Sequence, residues 1–124
     1  MKFAHLKNRS VIKVEGLDRT AFLQALLTND VNKANSKEPM YAMLLTPQGR
    51  FLYDFYILAF EECLLLDCQS SKIDEILKKL TMYKLRQDVI LSKSSEQVFI
   101  DVVSFQRFIS KDVPQGEEVN FEKY

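Results

Sequence analysis

The chain has 124 residues, 47% hydrophobic and 27% charged, and its 17 basic and 17 acidic side chains cancel. That composition fits one globular domain with a modest core, and the missing basic excess argues against direct binding to nucleic acid or to an anionic membrane. Two cysteines are too few for a disulfide scaffold, so a reducing, cytoplasmic setting is expected.

Residues Met1 to Arg9 contain neither the apolar run of a signal peptide nor a long Arg- and Ser-rich helix. Ser10 to Glu15 is rich in β-branched residues, with Ile12 and Val14 on one face, and predicts a strand ended by Gly16. A helix follows, with Asp18 as cap, Leu17 stapled onto Phe22, and Phe22, Leu23, Leu26 and Leu27 as its buried stripe. Thr28-Asn29-Asp30 stops it, with Asn29 suited to a left-handed helix end, and residues 31–39 are polar and read as a loop.

Met40 to Leu45 predicts a short strand and Thr46-Pro47-Gln48-Gly49 a type I turn. Arg50 to Phe60 is a long aromatic strand, and Cys63 to Cys68 returns as the third strand of a meander. The near-apolar stretch Phe51 to Ala59, broken by Asp54, is too short to span a bilayer. Ser71 to Asp74 opens a second helix, carried by Ile73, Ile76, Leu77, Leu80 and Tyr83 and closed by Leu85 to Asp88.

Val89 to Leu91 and Val98 to Val103 predict further strands. The order β-α-β-β-β-α-β implies an α+β fold, a mainly antiparallel sheet with two helices on one face. Residues 1–103 form the expected domain. Residues 104–124, whose last part carries proline, glycine and charge, are expected as a tail or the start of a further domain.

Few residues invite chemistry. Cys63 and Cys68 fall on opposite faces of a regular strand, and His5 is remote, so no metal site is expected. Neither a P-loop nor a GxGxxG run is present. Asp54 stands out as a carboxylate amid aromatic and aliphatic neighbours, sharing a strand face with Leu52 and Tyr56 while Phe51, Tyr53, Phe55 and Ile57 take the other. It can lie in solvent, pair with Arg50 or Arg86, or serve as a pocket carboxylate flanked by tyrosines. Near Tyr83, Arg86 can hold an anion, although a cation closing a helix C-terminus explains it as well.

Three blocks then resemble one family. Val14-Glu15-Gly16-Leu17-Asp18, Phe22-Leu23-Gln24 and Leu27-Thr28-Asn29-Asp30 look like the opening of the YgfZ and glycine-cleavage T-protein superfamily. Tyr41 to Asp54, with Gln48-Gly49-Arg50 and Leu52-Tyr53-Asp54, is similar to the strand-turn-strand of its mitochondrial iron–sulfur maturation branch. Leu65-Leu66-Asp67-Cys68 and Tyr83-Lys84-Leu85-Arg86 through Val89 resemble a third block of that branch.

The resemblance implies a domain around a tetrahydrofolate site, with Asp54 near the reactive nitrogens of the folate and Tyr53, Tyr83 and Arg86 as further contacts. It implies a role in assembly or repair of 4Fe–4S clusters, on which tRNA methylthiolation depends, with iron–sulfur client or assembly proteins as partners. The alternatives are a folate-dependent aminomethyltransferase with Asp54 as its catalytic carboxylate, and a non-catalytic interaction module. The YgfZ branch carries a K-G-C-Y-x-G-Q-E motif after its first domain, and no such run occurs in these residues. The chain therefore resembles an N-terminal portion whose missing half completes the pocket, and folate is expected to bind weakly or not at all to this portion alone. A eukaryotic source would place it in the mitochondrial matrix.

Overall fold

A computed structural model describes residues 1–120. In chain order the elements are strands β1 (Lys2–His5) and β2 (Arg9–Glu15), helix α1 (Arg19–Leu26), strands β3 (Met40–Leu45), β4 (Phe51–Ala59) and β5 (Leu64–Gln69), helix α2 (Ile73–Lys84), and strands β6 (Ile90–Lys93), β7 (Gln97–Asp101), β8 (Arg107–Ser110) and β9 (Glu117–Glu118). The larger sheet has five antiparallel strands in the order β3-β4-β5-β2-β6. A smaller sheet of order β8-β7-β1-β9 is antiparallel except where β9 runs parallel to β1. The fold is the α+β arrangement expected from the sequence.

Both helices cover one face of the larger sheet. Phe22 and Leu23 of α1 and Ile76 and Leu80 of α2 pack with Ile12, Val14, Phe55, Ile57 and Leu66 into the main core. Val11, Leu58 and Leu65 point the opposite way, as strand alternation requires, and meet Val98 of the smaller sheet. The larger sheet is thus sandwiched between helices and a second sheet.

Local differences from expectation have identifiable causes. Leu17 is 88% exposed, so it does not staple onto Phe22, and the Asp18 carboxylate accepts from the Asp88 amide instead of capping α1. Gly16 sits against the same segment at φ +105°, where a Cβ would lie 2.2 Å from the Asp88 carbonyl oxygen. Asn29 is not left-handed: α1 ends because Leu27 turns extended and bridges Leu44 on β3. Helix α2 starts at Ile73 after a tight turn, without a side-chain cap from Ser71, and stops at Leu85, which has φ +49°. The Thr46–Gly49 turn closes as expected, the Gly49 amide donating to the Thr46 carbonyl.

The smaller sheet was not anticipated. Its strands β1, β8 and β9 come from segments expected to be irregular, and β7 begins one residue earlier than expected, at Gln97. The stretch after Ser104, expected as a tail, pairs β8 with β7 and β9 with β1; residues 121–124 of that stretch lie outside the described residues.

Candidate functional site

The face of the larger sheet that meets the smaller one changes character along its strands. At one end it is apolar, with Leu58 and Leu65. At the other end Tyr41, Tyr56, Asp67 and Val11 stand in one row across four strands, with Asp54 two residues before Tyr56 and Arg9 two before Val11. This polar end opens onto a cleft of about 830 Å³, walled by Arg9, Asp54, Tyr56, Arg107, Lys7 and His5.

Asp54 is held from two sides. Its Oδ1 accepts from Arg9 Nη1 at 3.0 Å and its Oδ2 from the Tyr41 hydroxyl at 3.1 Å. Arg9, not Arg50 or Arg86, is therefore its cationic partner, because alternation puts Arg9 and Asp54 on the same sheet face. Burial by itself would lower the Arg9 pKa, but its hydrogen bonds to Asp67 and Asp54 and their negative charge outweigh that and hold it above the ordinary value. The Tyr41 hydroxyl is raised, by desolvation first and then by the Asp54 carboxylate it binds.

Asp67 is the only buried charged residue described, 1% exposed. Arg9 Nε donates to its Oδ1 at 2.6 Å, and Arg107 donates to its Oδ2 from Nε at 3.0 Å and Nη2 at 2.9 Å. Arg9 Nη2 also reaches the Asp67 carbonyl at 2.9 Å. The Arg107 guanidinium lies over the Tyr56 ring, 4.1 Å from its centroid. Two arginines thus face two carboxylates, which makes burial of the Asp67 charge tolerable.

The residues singled out in the sequence separate here. Asp54 and Tyr56 face the cleft. Tyr53 points to the helix side, as alternation demands, and its hydroxyl donates to Glu75 of α2. Burial first, then that hydrogen bond, pushes the Tyr53 hydroxyl up to about 12. Tyr83 lies near the end of α2, half-exposed, and does not line the cleft. Arg86 is exposed just past α2, and no hydrogen bond or ion pair joins it to another described residue.

Arg9, Asp67, Arg107 and His5 were not picked out from the sequence. Asp67 had the same signal as Asp54, a carboxylate inside the apolar run Leu64 to Cys68. The two cysteines do lie on opposite faces, Cys68 in the helix-side core and Cys63 against the smaller sheet. Burial pushes the Cys68 thiol up to about 12. Among the described residues no three of His, Cys, Asp and Glu gather as metal ligands, and no helix is long and apolar enough to cross a membrane.

No family model matches the chain. It is 34% identical over 105 residues to the mitochondrial iron–sulfur cluster assembly factor IBA57 of Mus musculus, a match covering 73% of this chain and 29% of that protein. The human IBA57 is 33% identical over 104 residues, with the same two coverages. The IBA57 homologue of Aspergillus clavatus is 31% identical over 106 residues, 72% of this chain and 24% of the relative. The chain thus spans less than a third of the length of these curated relatives. Among solved structures, the glycine cleavage system aminomethyltransferase T of Bartonella henselae superposes with a TM-score of 0.69 over 79% of this chain and 27% of that chain, at 16% identity. The fold is therefore that of an aminomethyltransferase T domain, and the sequence relatives are iron–sulfur assembly factors.

Proposed function

We propose that this chain, which fold and relatives together support as a member of the T-protein superfamily, serves iron–sulfur cluster assembly through a ligand site built on Asp54. The ligand proposed is tetrahydrofolate or a derivative, and the finer assignment is to the YgfZ-like maturation branch of the resemblance, with its link to tRNA methylthiolation. The observation that carries the reading is the placement of Asp54, fixed at both oxygens on a rigid strand beside a cleft of about 830 Å³.

The residues present suit such a group. Tyr56 supplies an aromatic wall, stiffened by the Arg107 guanidinium over its ring. Asp54 supplies fixed negative charge, suited to steadying a cation that develops nearby, and both its oxygens are already engaged by Arg9 and Tyr41. Lys7 and the Arg107 Nη1 edge, which no described acceptor takes up, offer donors to an anionic group. Folate, when bound, supplies one-carbon chemistry at its ring nitrogens. What this chain contributes is orientation and charge.

Iron–sulfur client or assembly proteins are the partners proposed, and a further polypeptide half would complete the pocket. In a eukaryotic source the role belongs in the mitochondrion, the compartment in the relatives' names, and the matrix is the part of it proposed. The test is depletion of the protein in its source cell, followed by assay of a 4Fe–4S dehydratase against a cluster-free enzyme. The dehydratase should fall severalfold and recover with the wild-type chain but not with Asp54→Ala. Unchanged dehydratase activity on depletion would remove the assembly role.

A further inference from the structure

Asp67 is a carboxylate withdrawn from water, yet every contact it makes leads towards the cleft. Its two oxygens are divided between guanidinium groups that come from different sheets, Arg9 from β2 and Arg107 from β8. Each arginine then does a second thing. Arg9 carries its Nη1 to Asp54, and Arg107 lies over Tyr56, the residue paired directly with Asp67 across β4 and β5.

Without the Asp67 carboxylate, Arg107 has no described carboxylate partner and Arg9 loses one of its two. Arg9 would keep Asp54, which is partly exposed, and the backbone carbonyl of residue 67, and Arg107 would keep only the ring contact. Loss of the carboxylate takes both donors of Arg107 off Oδ2 and the Nε donor of Arg9 off Oδ1, and each bond lost widens the range of orientations a guanidinium can take.

We propose that Asp67 is the positioning residue of the cleft: it sets where Arg9 holds Asp54 and where Arg107 stiffens the Tyr56 wall, without touching the ligand itself. This rests on the reading of the cleft as a ligand site only for its binding consequence; the positioning can be read in the ligand-free protein. The two arms of the test are chosen accordingly.

The first arm follows the Nε–H resonances of Arg9 and Arg107 by NMR in the full chain. In the wild type both should be protected from exchange and well dispersed. In Asp67→Asn both should collapse towards the solvent-exposed position while the backbone amide pattern of the core is kept, and Asp67→Glu should restore part of the protection. Should Asp67→Asn fail to fold, Arg107→Gln probes the same hierarchy: Arg9 should stay protected, because Asp67 still holds it. Protection of both arginines surviving in Asp67→Asn, or Arg9 becoming mobile in Arg107→Gln, would overturn the proposal.

The second arm titrates tetrahydrofolate. Asp67→Asn should weaken its binding at least tenfold although it lines no part of the contact surface, and equal affinity in the two proteins would count against a positioning role. Wild-type protein that binds no tetrahydrofolate overturns binding by this portion of the fold on its own, and the resonances then decide the positioning claim.

Discussion

Replacing Asp67 by alanine tests how the cleft is held together. The Asp67 side chain is 2% exposed, and the Arg9 and Arg107 side chains it binds are 11% and 20% exposed. The change leaves both arginines largely out of water with their main acceptor gone. Breaking such a buried pair costs about 3–5 kcal/mol. Domains of this kind have about 5–15 kcal/mol of total stability, so the loss is a large share of it. With a urea dependence of about 1–3 kcal/mol per molar, the midpoint should fall by about 2 M. Equilibrium urea unfolding at pH 7, followed by far-ultraviolet circular dichroism, measures this. The same physics predicts recovery in a triple variant: Asp67→Leu with Arg9→Met and Arg107→Met removes the desolvated charges together, and should lose far less than the single change. A single-variant loss under about 1 kcal/mol would refute the claim that Asp67 is a buried, doubly paired anion, since only exposed ion pairs are that weak.

Other consequences follow from the same coordinates. Tyr53 has a hydroxyl raised from 10.0 to about 12, so the folded state keeps a proton that the unfolded state gives up. That stability is fully present below pH 10 and should drain away between pH 10 and 12, about 2–3 kcal/mol in all; Tyr53→Phe should flatten the urea midpoint over that window, and parallel curves for the two proteins would contradict it. Gly16→Ala should cost more than Gly49→Ala, because the new Cβ at 16 meets backbone at 2.2 Å while at 49 nothing lies within 4 Å and only the left-handed φ is strained. Thermal melts of the two variants give that ranking, and equal losses would show the Gly16–Asp88 contact to be loose. Iodoacetamide should modify half-buried Cys63 in the native protein and reach fully buried Cys68 only on unfolding; mass spectrometry of the two cysteine peptides reads the difference.

The meander and both helices were legible because their apolar residues repeat at the period of the element that forms. Leu58 and Asp67 also follow simple alternation, so the face they share could be assigned once β4 and β5 were recognised. Of the second sheet only β7 was legible, as the run Val98 to Val103. Its other strands are two to four residues long, too short to show a period, and β1 pairs with a strand almost the whole chain away. Helix ends were misread where tertiary bonds replaced local caps, as when Asp18 turned to the Asp88 amide.

Asp54 was recognisable as unusual, but its partner Arg9 lies 45 residues away and Arg107 reaches Asp67 across 40, distances over which residue spacing carries no signal. Tyr53 and Asp54 are adjacent in sequence and serve opposite faces, so a motif that names both does not build one pocket from them. The resemblance grouped Tyr53, Tyr83 and Arg86 with Asp54; the structure gathers Asp54 instead with Arg9, Tyr56 and Arg107.

The most direct test of the proposed site is a tetrahydrofolate titration of the whole chain followed by NMR, carried to millimolar ligand so that weak binding registers. Saturable shifts at Arg9, Asp54, Tyr56 and Arg107, abolished by Asp54→Ala, are the predicted result. Shifts confined to Tyr83 and Arg86 would contradict the assignment of the cleft.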